Sequence, residues 1–156
     1  GLYMKKIVKI IAAALAVCAL AGCGGNNNEN VDIDTIYNGI SPMAEGTLVE
    51  MNDNYISNYY GIDVADLSQY VFAQSDDPTS AETIIIFMCD DSEKRKTYVE
   101  AVNNALDQKF DELTNYDLPD EAKLVKDAKV KTSGNLVYLI ISDNADSMNK
   151  IVKDSI

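Results

Sequence analysis

The stretch ETIIIFMC, residues 82–89, decides the fold of this chain. An unbroken apolar run of this length predicts a central β-strand that is covered on at least one face. Residues 136–141, LVYLII, predict a second central strand. Gly134 precedes this second run, so residues 129–132 and 136–142 are expected to form a β-hairpin with glycine in its turn. The two apolar runs therefore predict an antiparallel sheet.

The segments before, between and after these strands have apolar residues at helical spacing. Between residues 93 and 114 the apolar positions step by 3, 4, 4 and 3, which predicts a long amphipathic helix. Shorter helices are predicted at residues 31–40, at 53–60 with Gly61 ending the helix, from Pro119, and at 145–156. A further strand is expected at residues 69–73, while the pattern at 47–51 is ambiguous. Helices beside an antiparallel sheet predict a two-layer α+β domain over residues 31–156.

The segment before this domain has the pattern of an export signal. Lys5, Lys6 and Lys9 precede an uncharged apolar run from Ile10 to Leu20. As a helix, this run reaches about 16 Å at about 1.5 Å per residue, roughly half of a bilayer's hydrocarbon thickness. The run is therefore too short for a transmembrane anchor and is typical of a signal peptide.

The stretch Leu20-Ala21-Gly22-Cys23 resembles the lipobox of bacterial lipoproteins. In a lipobox the cysteine receives a diacylglyceryl group, and small residues before it give the peptidase access to the bond that is cut. We therefore expect residues 1–22 to be a cleaved lipoprotein signal peptide, recognised through Leu20, Ala21 and Gly22. Cys23 is then the lipid anchor and residues 23–30, CGGNNNEN, are a flexible tether. The alternative is a plain secretory leader that is cut elsewhere.

Composition excludes several functions. The formal net charge is −12, and from Cys23 onward ten basic side chains stand against 25 acidic ones, a balance of −15. Such an acidic domain repels phosphate backbones, so nucleic acid is not an expected partner, and it has no basic patch to hold it on anionic lipid. The chain contains no histidine, which excludes serine–histidine and cysteine–histidine nucleophile pairs and histidine-based zinc sites.

Three groups of residues are candidates for a chemical role. Cys89 stands beside two aspartates with no histidine available as a base, so a buried structural thiol is favoured over a nucleophile. Asp53, the pair 76–77 and the pair 90–91 offer oxygen ligands for calcium, but no EF-hand spacing joins them, so loop and capping roles are favoured. Four tyrosines could stack on sugar beside two carboxylates in a hydrolase: Tyr55, Tyr59, Tyr60 and Tyr70. Their helical spacing favours instead a position in the core or at its rim. The sequence thus indicates no catalytic residue, no metal and no cofactor.

Several segments together resemble a known family. They are residues 60–63 (YGID), 69–71 (QYV), the strand at 81–91, the long helix, and 131–141 (KTSGNLVYLII), in that order. This arrangement is similar to the uncharacterised lipoprotein family called domain of unknown function 4358, which is common in Gram-positive bacteria. The similarity spans roughly residues 31–142 and implies a location and a domain extent, without an activity.

The sequence therefore predicts a surface lipoprotein on the extracytoplasmic face of the cell membrane. Its domain is expected to be a non-enzymatic module that binds a protein, a cell-wall component or a small ligand. Two alternatives stay open at this stage: a cell-wall hydrolase that uses carboxylates, and an accessory subunit of a membrane transporter or sensor.

Overall fold

The computed structural model describes residues 28–156. It contains one five-stranded antiparallel sheet in the order β1-β2-β3-β5-β4. The strands are β1 (Leu48–Glu50), β2 (Gln69–Ser75), β3 (Thr83–Met88), β4 (Lys131–Ser133) and β5 (Leu136–Ile141). The helices are α1 (Ile33–Ile40), α2 (residues 53–60, an α-helical turn that continues as π-helix), α3 (Ser92–Asn115), α4 (Pro119–Asp127) and α5 (Ala145–Asp154). Short 3₁₀ turns lie at Ser41–Met43 and Val64–Asp66.

The two apolar runs are the neighbouring central strands. In the register of β3 on β5, Thr83 lies opposite Ile141 and Met88 opposite Leu136. Every residue of both strands is buried. The hairpin turn between β4 and β5 contains Gly134 at φ +58°, a left-handed conformation that glycine adopts without a steric cost. The α+β class, the antiparallel sheet and the hairpin are therefore confirmed, and the ambiguous segment at 47–51 contains β1.

The number of layers was predicted wrongly. Alternate residues of β3 point to opposite faces of the sheet, and each face has its own apolar cluster. Ile85 and Phe87 pack with α2, α3 and α4, whereas Ile84, Ile86 and Met88 pack with α1 and α5. Helices thus cover both faces, and the domain has three layers rather than two. Two buried faces also explain why β3 and β5 are apolar throughout instead of alternating.

Local sequence signals account for the helix boundaries. The Asp91 carboxylate accepts hydrogen bonds from the backbone N–H groups of Glu93 at 2.9 Å and Lys94 at 3.1 Å, which caps α3 at its start. Gly61, at φ +68°, ends α2 in the left-handed conformation. Asp32 caps α1 in the same way as Asp91 caps α3.

The chain enters the domain at one end of the sheet, which we call the proximal end. The Asn28 side-chain amide donates to the backbone carbonyl of Ser133 at 2.8 Å and to Oδ1 of Asn135 at 3.0 Å. Asn135 in turn donates to Asp90 at 2.8 Å. The sequence assigned Asn28 to the flexible tether, but these bonds already hold it against the β4–β5 turn. The opposite end of the sheet, where β5 finishes and α5 begins, is the distal end.

Candidate functional site

A groove lies where the sheet edge is incompletely covered. β4 pairs only with the first half of β5: Lys131 lies opposite Tyr138, and Ser133 opposite Leu136. Beside the second half of β5 is a groove of about 580 Å³, which we call the distal groove. This volume is in the range of small-molecule sites. Ile140 and Ser142 form its floor. One wall comes from α4 with the linker that follows it, and the other comes from the first turns of α5. The wall residues are Asp120, Lys123, Leu124, Asp127, Ala128, Lys129, Lys131, Asp143, Ala145, Asp146 and Asn149.

The strand register determines which backbone N–H and C=O groups of β5 face the groove. The backbone N–H of Cys89 donates to the carbonyl of Asn135 at 2.9 Å, so these opposed residues form a hydrogen-bonded pair. Such pairs alternate along an antiparallel ladder, so Leu139 and Ile141 direct their N–H and C=O groups to β3. Ile140 therefore directs its own N–H and C=O to the groove. Within residues 28–156, no other segment supplies a backbone partner for them.

The walls carry charges of both signs. Lys123 is engaged with Asp127 in an ion pair at 2.7 Å. Lys129 and Lys131 form no ion pair with any residue that the structure describes. Asp143 and Asp146 lie across the groove, at the junction of β5 and α5. Apart from Asp120 and the Lys123–Asp127 pair on α4, the groove thus has positive charge on its β4 side and negative charge on its α5 side.

A buried carboxylate holds the distal end together. Glu82 is only 3% exposed, and its Oε2 accepts from the Ser142 hydroxyl at 2.5 Å and from the backbone N–H of Glu45 at 3.1 Å. Burial raises the pKa of the Glu82 carboxyl, helped by the negative charges of Glu45 and Asp143, while the two hydrogen bonds lower it. Ser142 also accepts from the backbone N–H of Asn144 at 3.1 Å. Glu82 therefore fixes the groove floor at Ser142 and the entry into α5.

One polar atom of the groove wall has no partner in the structure. The Asn149 side chain lines the groove, and its Oδ1 is buried without a hydrogen bond among the described residues. A buried amide oxygen without a donor costs free energy. A donor arriving in the groove could satisfy it after a side-chain rotation.

The predicted lipobox residues Leu20, Ala21, Gly22 and Cys23 lie outside the described residues, so they stay predictions. No helix within the described part of the chain combines the length and the apolar character needed to cross a membrane.

Four of the five aspartates that offer oxygen ligands for calcium have other side-chain contacts. Asp91 caps α3, as predicted, and Asp77 accepts from the backbone N–H and the hydroxyl of Thr79, which lower the pKa of its carboxyl. Asp53 accepts from the Tyr70 hydroxyl at 2.6 Å, and Asp90 accepts from Asn135. Among residues 28–156, no group of three or more acidic or cysteine side chains is arranged to hold a metal ion.

The four tyrosines pack with the core instead of lining the distal groove. Tyr55 stacks on Tyr59 with ring centroids 5.4 Å apart, and Tyr60 lies 5.3 Å from Phe72. Burial, with the nearby charge of Glu112, raises the pKa of Tyr59 to about 12. Tyr70 lies 6.4 Å from the same Phe72 ring. The core or rim position that their spacing favoured is confirmed, and they offer no sugar-stacking surface in the groove.

Cys89 is completely buried, as predicted. Its thiol donates to the carbonyl of Asp91 at 3.6 Å. Burial raises the pKa of this thiol. A buried protonated thiol is unreactive, because the thiolate is the nucleophile.

The groove residues were not among the predicted site residues. One signal could have indicated them: Lys123, Lys126, Lys129 and Lys131 place four lysines within nine residues of a strongly acidic chain. A second signal is Glu82, a charged residue directly before the apolar run, which marks a buried carboxylate once that run is known to be a central strand.

Comparison with known proteins gives one match. The model of the family described as "Domain of unknown function (DUF4358)" matches residues 42–142, a range that contains all five strands and the distal groove's floor from Ile140 to Ser142. No curated protein and no solved structure gives a significant match. Since the matched range covers well over half of the chain, this protein belongs to the DUF4358 family.

Proposed function

We propose that this protein is a membrane-anchored surface lipoprotein whose domain binds a polar ligand in the distal groove and catalyses no reaction. The anchoring part of the proposal is supported by the sequence at residues 20–23, where a leucine and two small residues precede Cys23 at the end of an apolar run. Two or more acyl chains on that cysteine give stable membrane attachment without any basic surface.

The position of Asn28 supports this arrangement. Only residues 24–27 separate Cys23 from Asn28, which is bonded to the β4–β5 turn. An extended chain spans at most about 3.5 Å per residue, so Asn28 stays within about 17 Å of the lipidated cysteine. The distal groove begins six residues further along β5 than the turn, which is about 20 Å at about 3.3 Å per residue. In the proposed arrangement the proximal end therefore lies near the membrane, and the groove begins about 20 Å farther along the sheet.

The binding part of the proposal rests on one observation: the distal groove has an open strand edge for its floor, with Lys129 and Lys131 on its β4 side and acidic residues beside α5. Convergent polar groups in a concave site of this size are typical of ligand binding. The non-enzymatic part is supported by the missing histidine and by the burial of Cys89, which leave the groove without an imidazole base and without an accessible thiol.

Anchoring is tested with a pair of cysteine variants. Cys23→Ala should leave the signal peptide uncut and the protein without lipid, as measured by intact mass of the membrane fraction. Cys18→Ala is the matched control, because it removes another leader cysteine five residues upstream. It should be processed and lipidated normally. A lipidated Cys23→Ala protein would refute the anchor.

Binding is tested by native mass spectrometry of the full chain recovered from its own membranes. We expect an additional small mass that is lost in Asp146→Trp, because the indole would occupy the groove wall beside α5. Asp107→Trp makes the same change on an exposed part of α3 and should retain the mass. Equal occupancy in both variants, or no added mass in the unmodified protein, would contradict binding in the groove.

A further inference from the structure

The distal groove also indicates the class of its ligand. We infer that it takes a short extended peptide with a free C-terminal carboxylate, which adds to the sheet as a strand beside the second half of β5. This inference rests on the proposed function, since it names the ligand of the same groove.

The first step is the hydrogen-bonding need of Ile140. Its N–H and C=O face the groove, yet the residue is only 2% exposed, so water reaches these groups poorly. Buried backbone groups are nearly always paired, and an unpaired one costs about 1–3 kcal/mol. An extended peptide supplies one donor and one acceptor at the spacing that Ile140 presents. This is the geometry by which peptides add to exposed sheet edges.

The second step is the direction of the added strand. An antiparallel strand on β5 runs in the same direction as β4 and lies on the same line. Its carboxyl end then points to Lys131 and Lys129, and its amino end points to Asp143 and Asp146. A parallel strand would place each terminus beside charges of its own sign. Charge complementarity therefore selects the antiparallel direction.

The third step is the length of the peptide. β4 already occupies the line of the added strand from Lys131 onward, so the peptide must end there. A chain terminus at that point places its carboxylate beside two lysines that have no ion-pair partner among the described residues. The open part of β5 and the start of the following loop, residues 139–142, span about 13 Å at about 3.3 Å per residue. This length matches a peptide of about four residues.

The test uses the full chain in detergent micelles with two peptide probes. One is a pool of random tetrapeptides with free amino and carboxyl ends, and the other is the same pool amidated at the C-terminus. Hydrogen exchange of single backbone amides is followed by NMR. The free pool should slow exchange of the Ile140 amide at least tenfold and leave the Tyr138 amide unchanged, because Tyr138 is already opposite Lys131 in the β4–β5 ladder.

Charge variants separate the carboxylate contact from general attraction. The double variant Lys129→Glu, Lys131→Glu should raise the half-saturating concentration of the free pool at least tenfold, to that of the amidated pool. The double variant Lys96→Glu, Lys153→Glu changes net charge equally at exposed positions outside the groove and should bind as the unmodified chain does. Both double variants are checked for an unchanged thermal midpoint.

Three results would overturn the inference. They are equal affinity for the free and amidated pools, peptide-induced shifts in the groove without slower exchange at Ile140, and no shift at millimolar peptide. The mass-spectrometry experiment above then distinguishes the two proposals. A small mass that depends on the groove would preserve the binding function with another ligand, whereas its absence would remove both.

Discussion

The buried carboxylate of Glu82 gives the sharpest prediction about stability. It joins three segments at the distal end, because it lies directly before β3 and accepts from Ser142 after β5 and from the backbone of Glu45. Glu82→Ala would leave both donors without their acceptor. Glu82→Gln would retain a side-chain carbonyl oxygen at the same place and remove the negative charge.

The expected magnitudes follow from these contacts. A hydrogen bond to a charged group contributes about 1.5–3 kcal/mol, so losing two of them should cost Glu82→Ala about 3–6 kcal/mol. Removing the buried charge is favourable and offsets part of this cost. The expected destabilisation of Glu82→Ala is therefore nearer the lower figure. Glu82→Gln keeps both donors paired, so its free energy of unfolding at pH 7 should stay within about 1 kcal/mol of the unmodified protein.

The pH dependence has a definite sign. Burial raises the pKa of Glu82 in the folded state above the unfolded value of about 4.3. The folded state then binds the proton more tightly, so the contribution of Glu82 to stability is fully present below the unfolded pKa. It is lost as pH rises through the folded pKa. Glu82→Gln cannot titrate, so its stability relative to the unmodified protein should improve as pH rises from 4 to 8.

Urea denaturation followed by far-ultraviolet circular dichroism measures these differences, since the chain has no tryptophan to serve as a fluorescent probe. Glu100→Ala is the control, because it removes an exposed carboxylate from α3. The role assigned to Glu82 would be refuted if Glu82→Ala cost no more than Glu100→Ala. It would also be refuted if Glu82→Gln were as unstable as Glu82→Ala, or if the difference between Glu82→Gln and the unmodified protein were independent of pH.

Three further predictions concern other elements. Gly61→Ala should lower the free energy of unfolding by about 1–2 kcal/mol in urea denaturation, because alanine is strained at φ +68°. Gly39→Ala should instead raise it by about 0.4–1 kcal/mol, because Gly39 lies within α1 and an added Cβ meets no atom within 4 Å. Asp91→Ala should cost about 0.5–2 kcal/mol by removing the α3 cap; a loss no larger than in Asp107→Ala would contradict this. The Cys89 thiol should react with a maleimide at least about 100-fold more slowly in the folded protein than in urea, as measured by peptide mass spectrometry; equal rates would show that it is accessible.

Much of the fold was predictable because it depends on local patterns. The apolar residues of α3 are spaced by 3, 4, 4 and 3 positions, which predicts one apolar face on the helix. Val102, Leu106 and Leu113 on that face are buried. The runs in β3 and β5 carry no turn residues, so central strands were the natural interpretation. Asp91 begins α3 through its side chain and Gly61 ends α2 through its backbone conformation, and both effects act within a few residues.

The third layer was harder to predict because it depends on which helices cover which face. An apolar run without alternation is compatible with one covered face or two, and only the packing of α1 and α5 on Ile84 and Ile86 distinguishes them. The distal groove was invisible for a related reason. It arises from the pairing of a three-residue strand with a six-residue strand, and the point where β4 begins to pair is set by the linker after α4. Strand ends are poorly marked in sequence, since no proline or glycine stands between Lys129 and Lys131.

The open edge at Ile140 also bears on how the domain avoids pairing with other sheets. Unpaired strand edges invite pairing with other sheets, and proteins protect them with short strands, lysines and covering helices. All three devices surround Ile140: β4 is short, Lys129 and Lys131 stand at the edge, and α4 and α5 form walls on both sides. Helices on both sides of the edge are expected to hinder a second sheet, because its neighbouring strands would approach them. A single added strand needs the least room, about 4.8 Å of width in a sheet. The features that protect the edge against aggregation are therefore compatible with the ligand proposed above, one short extended peptide.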